Sequence, residues 1–330
     1  MGQPILKYES GQTANPFEEM TDSGDVTTFS ASFMPISRAA GATVTVAPYG
    51  VKTGGAITAS GSNDEVNVAA LTVVAPGMTG ADADGVVTVS GGTVSITRGV
   101  TTDTHNITSI TVDSSGSLAA VSGTDSTSFS ETRGAAGGPP LIPVGSVEVG
   151  QVRTTSVTAA PVLASEIFQS PGTHQERTDQ PGYTIDYANG QVTFYEALPT
   201  IHTGNVAKKV YIKGSTPIFA TVPKSSDWVP AESTFSITST DTYDGAIGSS
   251  ASALGQASFT AILDNGLSDP MVAQKGQNLW FKFWPDRDQS LPYQLTQGLF
   301  GISRTFPAGG GAKVASCTVT PESESVDVTS

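Results

Sequence analysis

The chain is 330 residues long, enough for two domains and a sizeable core. Its formal net charge is −14, with 30 acidic against 16 basic residues, and it has no basic cluster larger than Lys208-Lys209, which argues against tight phosphate binding. One cysteine excludes an internal disulfide and a cysteine-based zinc site. No apolar run approaches the roughly 20 residues that span a bilayer, so no membrane insertion is expected.

Charged residues make up 14% of the chain, and glycine, serine, threonine and valine crowd it, which favours strands and turns. The start, Met1-Gly2-Gln3-Pro4-Ile5-Leu6-Lys7, has no apolar core of a signal peptide, so synthesis as a soluble cytoplasmic chain is expected. Residues 1–40 read as irregular. They are either an N-terminal arm that orders against a neighbour, with Phe17 as its anchor, or a first edge strand.

From about Gly41 to Thr132 short strands recur: Thr43–Val46, Glu65–Val68, Leu71–Val74, Val86–Val89, Val94–Thr97 and Ile107–Val112. Glycine, proline, asparagine, aspartate or serine bounds each, at the spacing of a sandwich or barrel. With five basic and thirteen acidic residues in 1–140, this stretch reads as an acidic β-rich domain, 41–135, with immunoglobulin-like architecture but no core tryptophan or disulfide. Gly134 to Pro140 reads as a flexible stretch stiffened by Pro-Pro, so a linker is expected at 136–140 and a second domain at 141–330.

Val144–Thr158 alternates, with Val147 and Val149 on one side, and reads as a long strand available to a neighbouring subunit. Tyr183–Leu198 reads as a hairpin turning at Asn189-Gly190, pairing Tyr187 with Val192 and Ile185 with Phe194. Lys209–Ile212 and Pro217–Val222 add strands. In Ser233–Thr240, Phe235 and Ile237 alternate with hydroxyl residues, and Gly245–Gly255 reads as a small, polar, mobile loop.

Ser258–Leu263 has strand composition, Asp264-Asn265-Gly266 is a turn signal, and Asp269-Pro270 opens a helix that Lys275-Gly276 closes. Leu279, Phe281 and Phe283 then alternate with Trp280, Lys282 and Trp284. That cluster reads either as core on one face and subunit contact on the other, or as a sugar-stacking platform; Trp228 is a second anchor. Cys317 falls in an alternating strand and reads as a small buried apolar residue.

No chemistry-bearing constellation emerges. His105, His174 and His202 lie far apart without metal-ligand spacing, no nucleophile elbow or phosphate loop is present, and Asp286-Arg287-Asp288 reads as a solvated turn. No catalytic, cofactor-binding or metal-ligating residue is assigned, and the chain is not expected to be an enzyme.

The order of strand, turn, short helix, aromatic strand, turn and alternating tail is carried by Phe259–Leu263, Asp269-Pro270, Val272–Gly276, Asn278–Pro285, Gly301–Phe306 and Ala315–Thr320. It resembles the major tail tube (tail shaft) proteins of long-tailed bacteriophages. The resemblance covers about a fifth of the chain well and the region from Pro139 loosely. It implies an all-β fold with one short helix: a β-sandwich or barrel tube domain plus the additional immunoglobulin-like or β-rich domain. It also implies a virion protein that forms hexameric rings, stacks them into a tube with other tail proteins, and lets DNA pass without specific binding. Phe17, Val147, Val149, Trp228, Trp280 and Trp284 are the self-assembly candidates. A head-decoration or tail-tip role and a carbohydrate-binding adhesin are the alternatives.

Overall fold

The computed structural model describes residues 2–329 apart from 76, 79–81, 114, 170–175, 180, 205, 207 and 244. The chain is all-β with one short α-helix, and its sheets are open rather than closed into barrels. No helix among the described residues is long and apolar enough to cross a membrane. Contacts group the chain into two units that interleave in sequence. Met1–Ala14, Phe33–Thr43 and Gly214–Ser330 form the first, and Asn15–Ser32 with Val44–Lys213 the second.

These units do not follow the expected divisions at 1–40, 41–135, 136–140 and 141–330. The stretch expected to be a linker folds down inside the second unit. The Gly134 amide donates to Pro139 O at 2.7 Å, that of Gly137 donates to Thr124 O at 2.7 Å, and residues 137–140 are buried. Its glycines serve close approach rather than flexibility: a Cβ at Gly138 would meet the Thr132 carbonyl oxygen at 2.1 Å.

The first unit is built on ten strands in chain order: β1 (Ile5–Ala14), β2 (Ser215–Thr221), β3 (Ser225–Val229), β4 (Ser233–Thr242), β5 (Gly245–Leu254), β6 (Ala257–Leu263), β7 (Asn278–Trp284), β8 (Tyr293–Thr305), β9 (Lys313–Pro321) and β10 (Val326–Val328). Eight of them make one sheet in the order β2-β1-β7-β8-β9-β6-β3, with β10 added to β8. Strands β2 and β3 are its open edges. The expected arm, 1–40, is therefore divided: Asn15–Ser32 belongs to the second unit, and the Ile5–Ala14 part is ordered within the first, where β1 lies between β2 and β7 rather than at an edge. Leu6 and Tyr8 alternate inward, so burial supplies what composition did not suggest.

The helix α1 (Pro270–Ala273) starts at proline as expected. Asp269, expected to cap its free amides, turns the other way and accepts the Asp264 and Gly266 amides of the preceding turn, at 3.0 and 2.7 Å. Gly276 sits at φ +80°, and its amide donates to Phe300 O at 2.8 Å, tying the helix end to β8. One sheet face encloses a core of Leu6, Tyr8, Phe259, Met271, Phe281 and Phe300 with Cys317. Part of the opposite face is covered by the strap Phe33–Thr43, which bonds to Glu9 and Trp280.

The second unit packs several small sheets around Val51, Val66, Val73, Ile110, Val112, Val147 and Val149. Asn106–Val112 and Val147–Thr154 pair with each other and are buried throughout. The expected projecting strand is thus a central one. Its outer face is polar but covered. Glu148 accepts from Ser109 Oγ at 2.5 Å, Arg133 Nη2 at 2.5 Å and Gln151 Nε2 at 3.3 Å, while Arg153 forms a bidentate pair with Glu131. The hairpin exists, but its register is Ile185 with Val192 and Tyr183 with Phe194, two residues from expectation. The Asp186 carboxylate accepts the Ala188 and Asn189 amides at 3.0 and 3.1 Å, which lengthens the turn. An even shift leaves the buried face unchanged, so Val192 and Phe194 remain core residues.

Candidate assembly surfaces

The stretch expected to be a mobile loop after Ser233–Thr240 is the second half of a long ribbon. Strands β4 and β5, ten residues each, pair from Ser233 with Leu254 to Thr242 with Gly245. They form a two-stranded sheet of their own. The register places Phe235, Ile237 and Leu254 on one face, with Ser252 and Ser250 opposite the first two. Thr234, Ser236, Thr238, Ala251 and Ala253 share the other face. Phe235 is 78% exposed and Ile237 83%. A two-stranded ribbon is marginal in water, and two large apolar side chains left exposed on it add cost instead of stability. Its base is anchored: the Ser233 amide donates to Glu324 Oε1 at 3.0 Å and the Gly255 amide to Glu232 O at 2.9 Å.

A second surface lies on the face of the large sheet opposite its core. Lys7 of β1 stands directly across from Lys282 of β7. The Lys282 ammonium lies 3.6 Å from the Tyr293 ring centre, 4.6 Å from Trp284 and 6.0 Å from Phe219, and the Lys7 ammonium lies 4.9 Å from Trp284. Burial, and then the neighbouring Lys7 charge, hold the Lys282 ammonium below the ordinary lysine range. Like charges directly across a ladder are destabilising, and the rings offset part of that cost. Among the described residues no carboxylate comes within ion-pair distance of either lysine, whereas nine other cations have one.

The residues singled out from sequence are scattered over different environments. Val147 and Val149 are fully buried in the second unit's core and present nothing to a neighbour. Phe17 is half-buried, stacked on Tyr211 at 5.6 Å. Trp280 is buried: its Nε1 donates to Ile36 O at 2.8 Å, and its amide to Glu9 Oε2 at 3.1 Å, so it holds the strap. Trp228 packs on the first unit's core, 6.0 Å from Phe283 and 6.4 Å from Phe281, with its Nε1 donating to Gln294 Oε1 at 3.0 Å. It also lines an open groove of about 410 Å³ with Pro230, Phe283, Pro285 and Pro292. Only Trp284 belongs to the lysine surface. Sequence reading missed Lys7 and Lys282; the signal was the alternation that put Lys282 between two tryptophans.

His202 contacts Ser146 O at 3.1 Å and His105 packs on Phe129, while His174 lies outside the described residues. No group of three or more histidine, cysteine or acidic side chains among the described residues is placed to hold a metal. Asn106, part of a glycosylation-like triplet, is buried, and its amide donates to Ser122 Oγ, Gly123 O and Asp125 Oδ1. Asp286 accepts the Gly2 amide at 2.9 Å and so anchors the amino-terminal segment. No family model, no curated protein and no solved structure matches the chain.

Proposed function

We propose that this chain is a structural virion protein, not an enzyme, whose copies assemble into stacked rings forming the tail tube of a long-tailed phage. The observation that carries the reading is the β4–β5 ribbon. It is ten residues long on each side and leaves Phe235 and Ile237 exposed on one face, which suits a segment donated to another copy. The open edges β2 and β3 are further places where copies join. The donor and acceptor surfaces differ, so such contacts are heterologous and generate rings or filaments instead of closed dimers. The tube is hexameric in this reading, joins other tail proteins, and conducts DNA past an acid-rich chain that repels phosphate.

The test is negative-stain electron microscopy of the purified protein across a concentration series, beside Phe235→Ser/Ile237→Ser. Rings or tubes with an open channel in the wild type, lost in the variant while its melting temperature is unchanged, support the reading. A wild type that stays monomeric at every concentration, with and without tail-tip extract as initiator, overturns it.

A further inference from the structure

We propose that Lys208 and Glu176 condense into an internal amide cross-link inside the second unit. The inference is independent of the self-assembly reading. The Lys208 ammonium lies 3.4 Å from Glu176 Oε1, and each side chain is 2% exposed. Among the described residues no other ion pair is buried as deeply on both sides. Both partners are fixed from the backbone. The Glu176 amide donates to Glu148 O at 3.1 Å, the Val51 amide donates to Glu176 O at 2.6 Å, and the Tyr49 amide donates to Lys209 O at 3.0 Å. The two segments are therefore held by the same three residues, 49–51. The approach is close: a Cβ on Gly50 would meet the Arg177 carbonyl carbon at 2.7 Å. The Lys208 ammonium also donates to Arg177 O at 3.1 Å.

A buried ion pair carries the desolvation cost of both charges, and a neutral amide carries neither. Burial holds the Lys208 ammonium below the ordinary lysine range, which favours the neutral amine that attack requires. Proton transfer from the ammonium to Glu176 Oε1 leaves a neutral amine beside a neutral acid. The amine lone pair forms the Nζ–Cδ bond, and negative charge develops on Oε2, to which the Glu148 amide already donates at 3.1 Å. A second proton passes from Nζ to Oε1. The Cδ–Oε1 bond then breaks, Oε1 leaves as water, and the carbonyl re-forms at Oε2. No oxidant, reductant or cofactor enters the balance. Fixed partners raise the effective concentration of amine at the carboxyl, and packing that excludes water opposes the reverse hydrolysis.

The test is the intact mass of the full chain, purified folded and then denatured for mass spectrometry. The main species is expected to lack one water, about 18 Da. Trypsin does not cut after an acylated lysine, so its digest is expected to hold one branched peptide, with 154–177 joined through Glu176 to Lys208 of 178–209. Lys208→Met removes the amine and is expected to restore the full mass. A wild type that keeps its full mass after prolonged incubation of the folded protein at neutral pH overturns the inference. So does a water-deficient chain whose peptides 154–177 and 178–208 emerge unjoined, or a Lys208→Met chain that still lacks the water. The wild type alone decides the matter, so the outcome does not depend on whether the variant folds.

Discussion

Replacing Arg133 by methionine tests whether the buried polar face of the second unit is held by charge. Arg133 Nη2 lies 2.5 Å from Glu148 Oε2 and its Nη1 donates to Pro140 O at 2.6 Å, while Glu148 itself is 2% exposed. Methionine keeps the aliphatic bulk and strands the carboxylate, and breaking a buried pair from one side costs about 3–5 kcal/mol. Burial pushes the Glu148 carboxyl above the ordinary range, and Arg133 is the largest influence opposing that rise. A carboxyl whose folded pKa is raised lowers stability as pH climbs through that pKa, and the penalty vanishes below the unfolded value. Loss of Arg133 raises the folded pKa further. The variant's deficit is therefore largest at neutral pH and shrinks toward pH 4. Arg133→Met/Glu148→Gln is expected to recover most of the loss, since no buried charge remains. Hydrogen exchange of peptides covering 106–112 and 147–154 measures the local opening free energy and avoids assuming that two units unfold together. A neutral-pH deficit below about 1 kcal/mol, or one that grows on acidification, would refute the reasoning.

Three further outcomes concern the first unit. Phe281→Ala removes a fully buried ring with neighbours Phe300 at 5.5 Å and Phe259 at 5.7 Å, and is expected to cost about 3–5 kcal/mol; denaturant unfolding followed by tryptophan fluorescence reads it, since all three tryptophans belong to this unit. Deleting residues 2–14 takes a central strand from the large sheet, so loss of the fluorescence-detected transition is expected, and a merely shortened but cooperatively folded protein would contradict the placement of β1. Cys317 is 1% exposed and burial pushes its thiol up to about 12, so a thiol reagent should label it only at the rate of unfolding; rapid labelling of native protein at pH 8 would place it elsewhere.

What was legible in the sequence is what local pattern decides. The alternation in Asn278–Trp284, the proline at the start of α1 and the glycine at its end became structure as read. What failed was decided by distant partners. Gly134–Pro140 has linker composition, yet its small residues allow backbone to pack on backbone. Ile5–Ala14 looks featureless because its glutamate is buried: Glu9 bonds Ser37 Oγ and the Trp280 amide, contacts far away in sequence. Gly245–Leu254 has the composition of a loop because glycine, serine and alanine fill most of it, while the large exposed Phe235 and Ile237 lie on the facing strand, so neither half alone reveals the ribbon. The candidate assembly residues divide in the same way. Trp284 stands beside the lysines while the strap covers Trp280, and nothing local in an alternating aromatic run distinguishes the two.

The distribution of cations separates the two units more sharply than their composition does. The second holds eight basic and eighteen acidic residues, and among the described residues every cation except Lys52 has a carboxylate partner within its own unit. The first holds eight against twelve, yet only Arg38 and Lys224 are paired among the described residues. Negative charge in excess on one unit and positive charge left uncommitted on the other is a pattern that serves contacts between copies better than stability within one. It makes association salt-dependent. Sodium chloride rising from about 0.05 to 0.5 M shortens the Debye length from roughly 14 to 4 Å and should raise the critical concentration for assembly, then reach a plateau where the apolar ribbon face dominates. Association that strengthens steadily with salt in the wild type would mean that apolar burial alone joins the copies and that the uncommitted lysines have no part in it.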